Sequence, residues 1–417
     1  MPSTHPPSLP DLLAQLAAAV QARALKLAQT ILQRLATDAA DAASIERQVQ
    51  ALMAELNAPK PQPDPALEAL QALDEFTLSN ERNLGPAASD GVVYPVWFGT
   101  NRQPGANGAS FTNTRHTRTT RGRVLVSVPE AHRFGETGNS FWKRLLRFEL
   151  SDDRLRIQRV EPRERDAFFT EIHAAMQAAR DTGSAPHALF FLHGFNVSFE
   201  NAAIRAAQIG YDLRVPGATA FFSWPSRGSV AAYPADEATI EASERAITDF
   251  MVDFATNCGA EKVHVIAHSM GNRGLLRALQ RIAANAAVQG PVKFGQIFLA
   301  APDVDRDLFL DLAGLYPEHS ERTTLYASDA DLPVHLSARL HDAPRAGYFK
   351  PYTVAPGVDT VAVPDFDLDL LGHGYFAQAE ALLHDIHDLM RHNEAPAQRQ
   401  RIAPAVHEGV SFWKLGR

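Results

Sequence analysis

The stretch KVHVIAHSMGNRGLLRAL, Lys262 to Leu279, constrains the fold of this chain more than any other. An apolar run of strand type ends at His268, and apolar residues at helical spacing begin just past Gly271, so strand, sharp bend and helix meet at Ser269. Such a bend needs small residues two before and two after the serine, because the strand and helix backbones approach closely. Those positions are Ala267 and Gly271, and Ala267 adds a single methyl to the usual first glycine of G-x-S-x-G. The alternative role for Ser269 is that of a helix N-cap. At a helix start the Met270 N–H and the helix dipole would both favour negative charge beside the serine.

The texture of the chain around this segment predicts an α/β architecture. From Val92 onward, short β-rich runs alternate with helical patterns: VVYPVWF, GRVLVSV, ALFFLH, TAFFSW, VHVIAH, GQIFLA, TTLYAS and DTVAV. Continuous apolar strands are expected to be covered on both faces, as in a mostly parallel sheet flanked by helices. Residues 101–121, rich in Gly, Asn, Thr and Arg, read as an irregular loop between the first two strands. Before Val92, Ala- and Leu-rich segments over residues 9–57 predict two amphipathic helices; prolines at 59, 61, 63 and 65 predict an extended linker, and a shorter helix follows from Leu67 to Phe76. The expected organisation is an N-terminal helical extension over 1–90, a catalytic domain over 91–393 and a C-terminal tail over 394–417.

A second motif lies at ALFFLHGFNVSFENA, where a buried strand ends in His193-Gly194-Phe195-Asn196. This is the expected location of a second oxyanion donor, here the Phe195 N–H beside that of Met270; otherwise Gly194 simply turns a corner. Together the strings FGTNR, FLHGFNVSFENA, FFSWPSRG, VIAHSMGNR, LAAPDVD and TLYAS resemble a bacterial α/β-hydrolase family, esterase- or lipase-like and known as a domain of unknown function. The resemblance runs from Val92 to the helix after His373 and leaves out the N-terminal helices and the final basic tail. It implies the α/β-hydrolase fold with Ser269 as nucleophile and places the acid of a Ser-Asp-His triad at Asp331. Asp329 is open by its position after the same strand, and Asp303 and Asp305 after the preceding one, where helix capping and turn formation compete as roles. His373, between two glycines after the last strand, stands where the fold's chain order puts the histidine.

That constellation supports acyl transfer without a cofactor: the histidine takes the serine proton, an acyl-enzyme forms, and water releases the acid. Phe199, Trp224, Tyr233, Tyr375 and Phe376, with Phe195 and Met270, lie near the expected catalytic loops and are candidates for a partly apolar pocket, although aromatics are more often core. Only about twenty residues separate LAAPDVD from TTLYAS, short for a lid, which favours short- to medium-chain carboxylic esters. Lipase or phospholipase, thioesterase and amidase activity on the same triad, and an interaction scaffold without turnover, are the rival readings.

Composition narrows the partners. Forty Lys and Arg against 48 Asp and Glu give a net charge of −8, which offers no attraction to nucleic acid. The run TRHTRTTRGR from Thr114 is a candidate contact for an anionic headgroup, though a solvated loop is the plainer reading. A lone cysteine, Cys258, with no secretory leader and no apolar run of spanning length suits a cytoplasmic protein. Peripheral membrane contact and a homodimer through the N-terminal helices stay open. His384, His387 and His392 recur at helical spacing, but no carboxylate and cysteine pattern accompanies them, so a solvated helix face is expected there and no metal.

Overall fold

A computed structural model describes residues 91–105, 110–129, 155–227, 232–289, 291–328, 343–348, 351–363 and 374–416. Side chains of 129, 287–289, 328 and 374–380 are not among those described, and the expected N-terminal helices and linker lie outside these residues. In chain order the elements are β1 (Gly91–Pro104), β2 (Phe111–Pro129), β3 (Arg156–Pro162), α1 (Arg165–Asp181), β4 (His187–Leu192), α2 (Phe199–Asp212) and β5 (Gly217–Ser223). There follow α3 (Tyr233–Ala242), α4 (Glu244–Asn257), β6 (Lys262–His268), α5 (Gly271–Gln289), β7 (Phe294–Ala300), α6 (Arg306–Leu312) and α7 (Leu315–His319). The chain continues through β8 (Ser320–Ser328), β9 (Val358–Val363), α8 (Gly374–His392), β10 (Ile402–His407) and β11 (Val410–Leu415).

Among the described residues the strands form one sheet in the order β10-β11-β9-β8-β7-β6-β4-β5-β1-β2-β3. Its centre, from β1 through β9, is parallel, and antiparallel pairs close both ends. Because successive strand residues face opposite sides, each continuous apolar run feeds two cores at once. Phe190, Leu192, Phe222, Val265 and Leu299 pack on one face with Phe168, Ile240, Phe250 and Leu275 from α1, α3, α4 and α5. Leu189, Phe191, Phe221, Ile266 and Phe298 pack on the other with Phe199 and Ile204 of α2 and Leu382 and Ile386 of α8.

Two regions differ from the sequence expectation. The described part of residues 101–121 is not an irregular loop: β1 and β2 pair as long antiparallel strands, with Gly91 opposite Pro129 and Pro104 opposite Phe111. Its outer part is polar because much of β2 is exposed from Thr112 to Thr117, so no apolar run marks it. The segment read as a tail supplies β10 and β11, and β11 pairs in parallel with β9 through Trp413 and Lys414. Pro404 falls in β10, the edge strand, where a missing N–H breaks no ladder.

Register decides where the functional loops begin. Leu192 pairs with Ala267 across β4 and β6, and His268 with Ala300 across β6 and β7. The chain therefore leaves three adjacent strands at the same level, at His193, Ser269 and Ala301.

Candidate active site

Ser269 adopts φ 48°, in the left-handed region that a residue with a Cβ enters only when its surroundings hold it there. The bend is held by hydrogen bonds on both sides. Ser269 N–H donates to Ala300 O at 2.9 Å, while Ser269 O accepts from the amides of Asn272 at 3.0 Å and Asp303 at 3.2 Å. The Asn272 side chain adds a brace, its Nδ2 donating to Ala267 O at 3.0 Å and to Ser269 O at 3.1 Å. Sequence reading missed that brace, although the asparagine sits within the elbow string itself.

The two small residues expected at the bend are both buried in it or beside it, and Gly271 carries the tighter constraint. A Cβ at Gly271 would lie 2.6 Å from both His193 O and Leu192 O, backbone atoms of the neighbouring loop. A Cβ at Gly194 would lie 3.0 Å from the Ser269 Cβ and 3.1 Å from His268 Nδ1. The HGFN loop and the elbow thus press on each other through two glycines. Gly271→Ala is expected to destabilise the protein by about 1–3 kcal/mol, since backbone rather than a side-chain tip must move; an unchanged urea midpoint would contradict this packing.

The histidines beside the serine are not free to act as its base. His193 is buried, its ring stacked on Trp224 at 5.1 Å, and Trp224 Nε1 donates to His193 O at 2.9 Å. Burial, and then the nearby Arg102 charge, hold His193 well below the ordinary imidazole range. Burial does the same to His268, with the Arg205 charge adding to it. A depressed value makes each ring a weak base, and the His193 nitrogens already face Gly194 O at 2.7 Å and Ser223 Oγ at 3.4 Å.

Of the candidate acids, Asp305 caps α6, its Oδ1 accepting from the amides of Asp307 at 3.0 Å and Leu308 at 3.1 Å. Asp303 is buried in an ionic cluster: Tyr233 donates its hydroxyl to Oδ2, Arg273 Nη2 lies 3.3 Å from Oδ1, and Arg345 Nε lies 3.6 Å from the same oxygen. Asp329, Asp331 and His373 lie outside the described residues, as do the side chains of Tyr375 and Phe376.

The pocket candidates separate by face. Phe195, Trp224, Tyr233 and Met270 belong to one core, with the Phe195 and Tyr233 rings 5.2 Å apart. Phe199 belongs to the opposite face, where it packs against Phe98 at 5.0 Å and Phe111 at 4.5 Å. His384 and His387 are half-buried on α8 and His392 is exposed at its end. Among the described residues no group of histidine, cysteine and carboxylate side chains could hold a metal ion. Nor is any described helix long and apolar enough to cross a membrane.

The family described as an alpha/beta hydrolase of unknown function matches residues 169–391, just over half of the 417-residue chain. The chain belongs to that family. Its sheet, mostly parallel and flanked by helices, is the α/β-hydrolase fold. No curated protein sequence matches this hydrolase. Solved structures similar to it include an uncharacterized protein from Bacillus cereus ATCC 10987, at 11% identity over 93% of this chain and 100% of that one, with a TM-score of 0.31. A Rhizomucor miehei esterase shows 12% identity over 82% and 97%, and a Pyrobaculum calidifontis esterase 12% over 79% and 93%, with TM-scores of 0.31 and 0.30. At these scores the likenesses carry no argument about the chemistry of this hydrolase.

Proposed function

We propose that this α/β hydrolase cleaves carboxylic esters of short to medium acyl chain through an acyl-enzyme on Ser269. The observation that carries the reading is the backbone of Ser269 itself. A positive φ at a non-glycine residue costs about 1–3 kcal/mol, and here it falls on a serine at a strand end whose Cβ lies against Gly194 of the neighbouring loop. Attack by the Ser269 oxygen on an ester carbonyl forms a tetrahedral adduct, with the serine proton passing to His373. Collapse expels the alcohol, which takes that proton, and a water then repeats the sequence to release the acid. The Met270 N–H at the start of α5 and the Phe195 N–H in the opposing loop would receive the developing oxyanion. Ser269 is 1% exposed.

Asp331 orients His373 in this scheme. A second reading gives that role to Asp303, because its amide already donates to Ser269 O and its carboxylate is buried beside the elbow. Replacing each aspartate by asparagine separates the two: the orienting residue is expected to lose about 10⁴-fold in kcat, and the other to keep kcat within a few-fold. A fluorophosphonate probe tests the proposal as a whole. Wild type is expected to label and Ser269→Ala to stay unlabelled; equal labelling of both, or none of either, would end it. Thioester, amide and lipid substrates would use the same groups, and a panel of p-nitrophenyl esters, thioesters and anilides ranks them.

A further inference from the structure

Two strings that hold no nucleophile, acid or base, FGTNR and FFSWPSRG, converge with α3 on the HGFN loop. Arg102, from FGTNR at the end of β1, is fully buried and spends its guanidinium on loops beyond other strands. Its Nη2 donates to Val197 O at 2.7 Å, its Nη1 to Ser226 O at 3.2 Å and Asn113 Oδ1 at 2.6 Å, and its Nε to Ser223 Oγ at 2.9 Å. Asp236, on α3 and also fully buried, accepts from Ser226 Oγ at 2.5 Å, from the Arg227 amide at 2.9 Å and from the Asn196 amide at 3.4 Å. Ser226 closes the circuit, its Oγ accepting from the Val197 amide at 3.1 Å.

Asn196, which follows Phe195 directly, has φ 56°, in the left-handed region it shares with Ser269 and which asparagine enters more readily than most residues. Upstream, Trp224 Nε1 grips His193 O. Downstream, Arg102 and Asp236 grip residues 196 and 197 through one carbonyl, one amide and the Ser226 hydroxyl. Two opposite buried charges are an expensive way to stabilise a core, since an apolar pair of the same size often does as well or better. They are, however, well suited to fixing backbone dipoles in a single orientation.

We infer that Arg102 and Asp236 are positioning residues that hold the Phe195 amide in the orientation an oxyanion requires. The inference deepens the serine-hydrolase reading and rests on it. Burial raises the Asp236 carboxyl above its ordinary range, while the three donors and Arg102 pull the other way; acidification therefore protonates an acceptor that the loop depends on.

The test uses the full-length protein with p-nitrophenyl butyrate and a boronic acid as oxyanion mimic. Asp236→Ala is expected to lower kcat about 100-fold with KM within about three-fold, and to weaken the boronate by a similar factor. Asp236→Asn keeps one acceptor oxygen and is expected to fall between that variant and wild type. Ser226→Ala, a milder change that removes only the bridging hydroxyl, covers the case in which Asp236→Ala does not fold; an intermediate loss of kcat and of boronate affinity is expected there too. A folded Asp236 or Ser226 variant with unchanged kcat, or with its loss confined to KM or to the melting temperature, would overturn the inference. Wild type that neither labels with fluorophosphonate nor turns over would defeat the serine-hydrolase reading instead, so the two failures are distinguishable.

Discussion

Ser269→Ala is expected to lower kcat on p-nitrophenyl butyrate by roughly 10⁵–10⁶-fold while leaving the fold intact. The hydroxyl is the only group removed, and the hydrogen bonds that hold the bend are made by the backbone. Ser269 N–H still reaches Ala300 O, and Ser269 O still accepts from Asn272 and Asp303. Alanine is no more comfortable than serine at φ 48°, so the urea midpoint should scarcely move. Ser269→Gly provides the contrast, since glycine accepts that φ without a steric penalty and is expected to stabilise the folded state by about 1 kcal/mol while remaining equally inactive. A drop of less than ten-fold for the alanine variant would take the chemistry away from this hydroxyl.

The second large effect is loss of stability in mild acid. His193, His264 and His268 are buried, and burial depresses all three, His264 to about 3. In the unfolded chain each would titrate near the ordinary value of about 6.5. Below that pH the unfolded state binds protons that the folded state refuses, so stability is lost as the pH falls. The loss continues until the folded-state values are reached. His264 is worth about 2 kcal/mol between pH 7 and pH 5, and His193 and His268 shift stability in the same direction. Asp236 opposes them in part, because its raised value lets the folded state keep a proton longer. Urea unfolding at pH 7.5, 6.0 and 5.0 measures the slope. A midpoint that stays level across this range would mean that these imidazoles are not held neutral in the fold.

The elbow was legible because everything that makes it is local: an apolar strand, two small residues and a helical repeat fall within eighteen consecutive positions. The central strands were legible for the same reason, since burial on both faces writes itself as a continuous apolar run. The β1–β2 pairing was not, because strand residues that face water need no apolar partner and Thr-Arg repeats read equally well as loop. Pro404 hid β10 in a similar way, as proline argues against a strand everywhere except at an edge. The clamp on the HGFN loop left no local trace at all. Arg102 and Val197 are joined across 95 positions and Asp236 and Asn196 across 40, and only the sheet order makes them neighbours.

The proline at one margin of the sheet also has a meaning for how these molecules behave at high concentration. A row of unpaired amides is an invitation to another chain, and β10 interrupts that row at Pro404 within six residues. At the opposite margin β3 carries Arg159, an exposed charge that a second strand could not cover without taking away its water. With neither border offering a clean template, crowding of folded copies should not by itself seed fibrils by extension of the sheet.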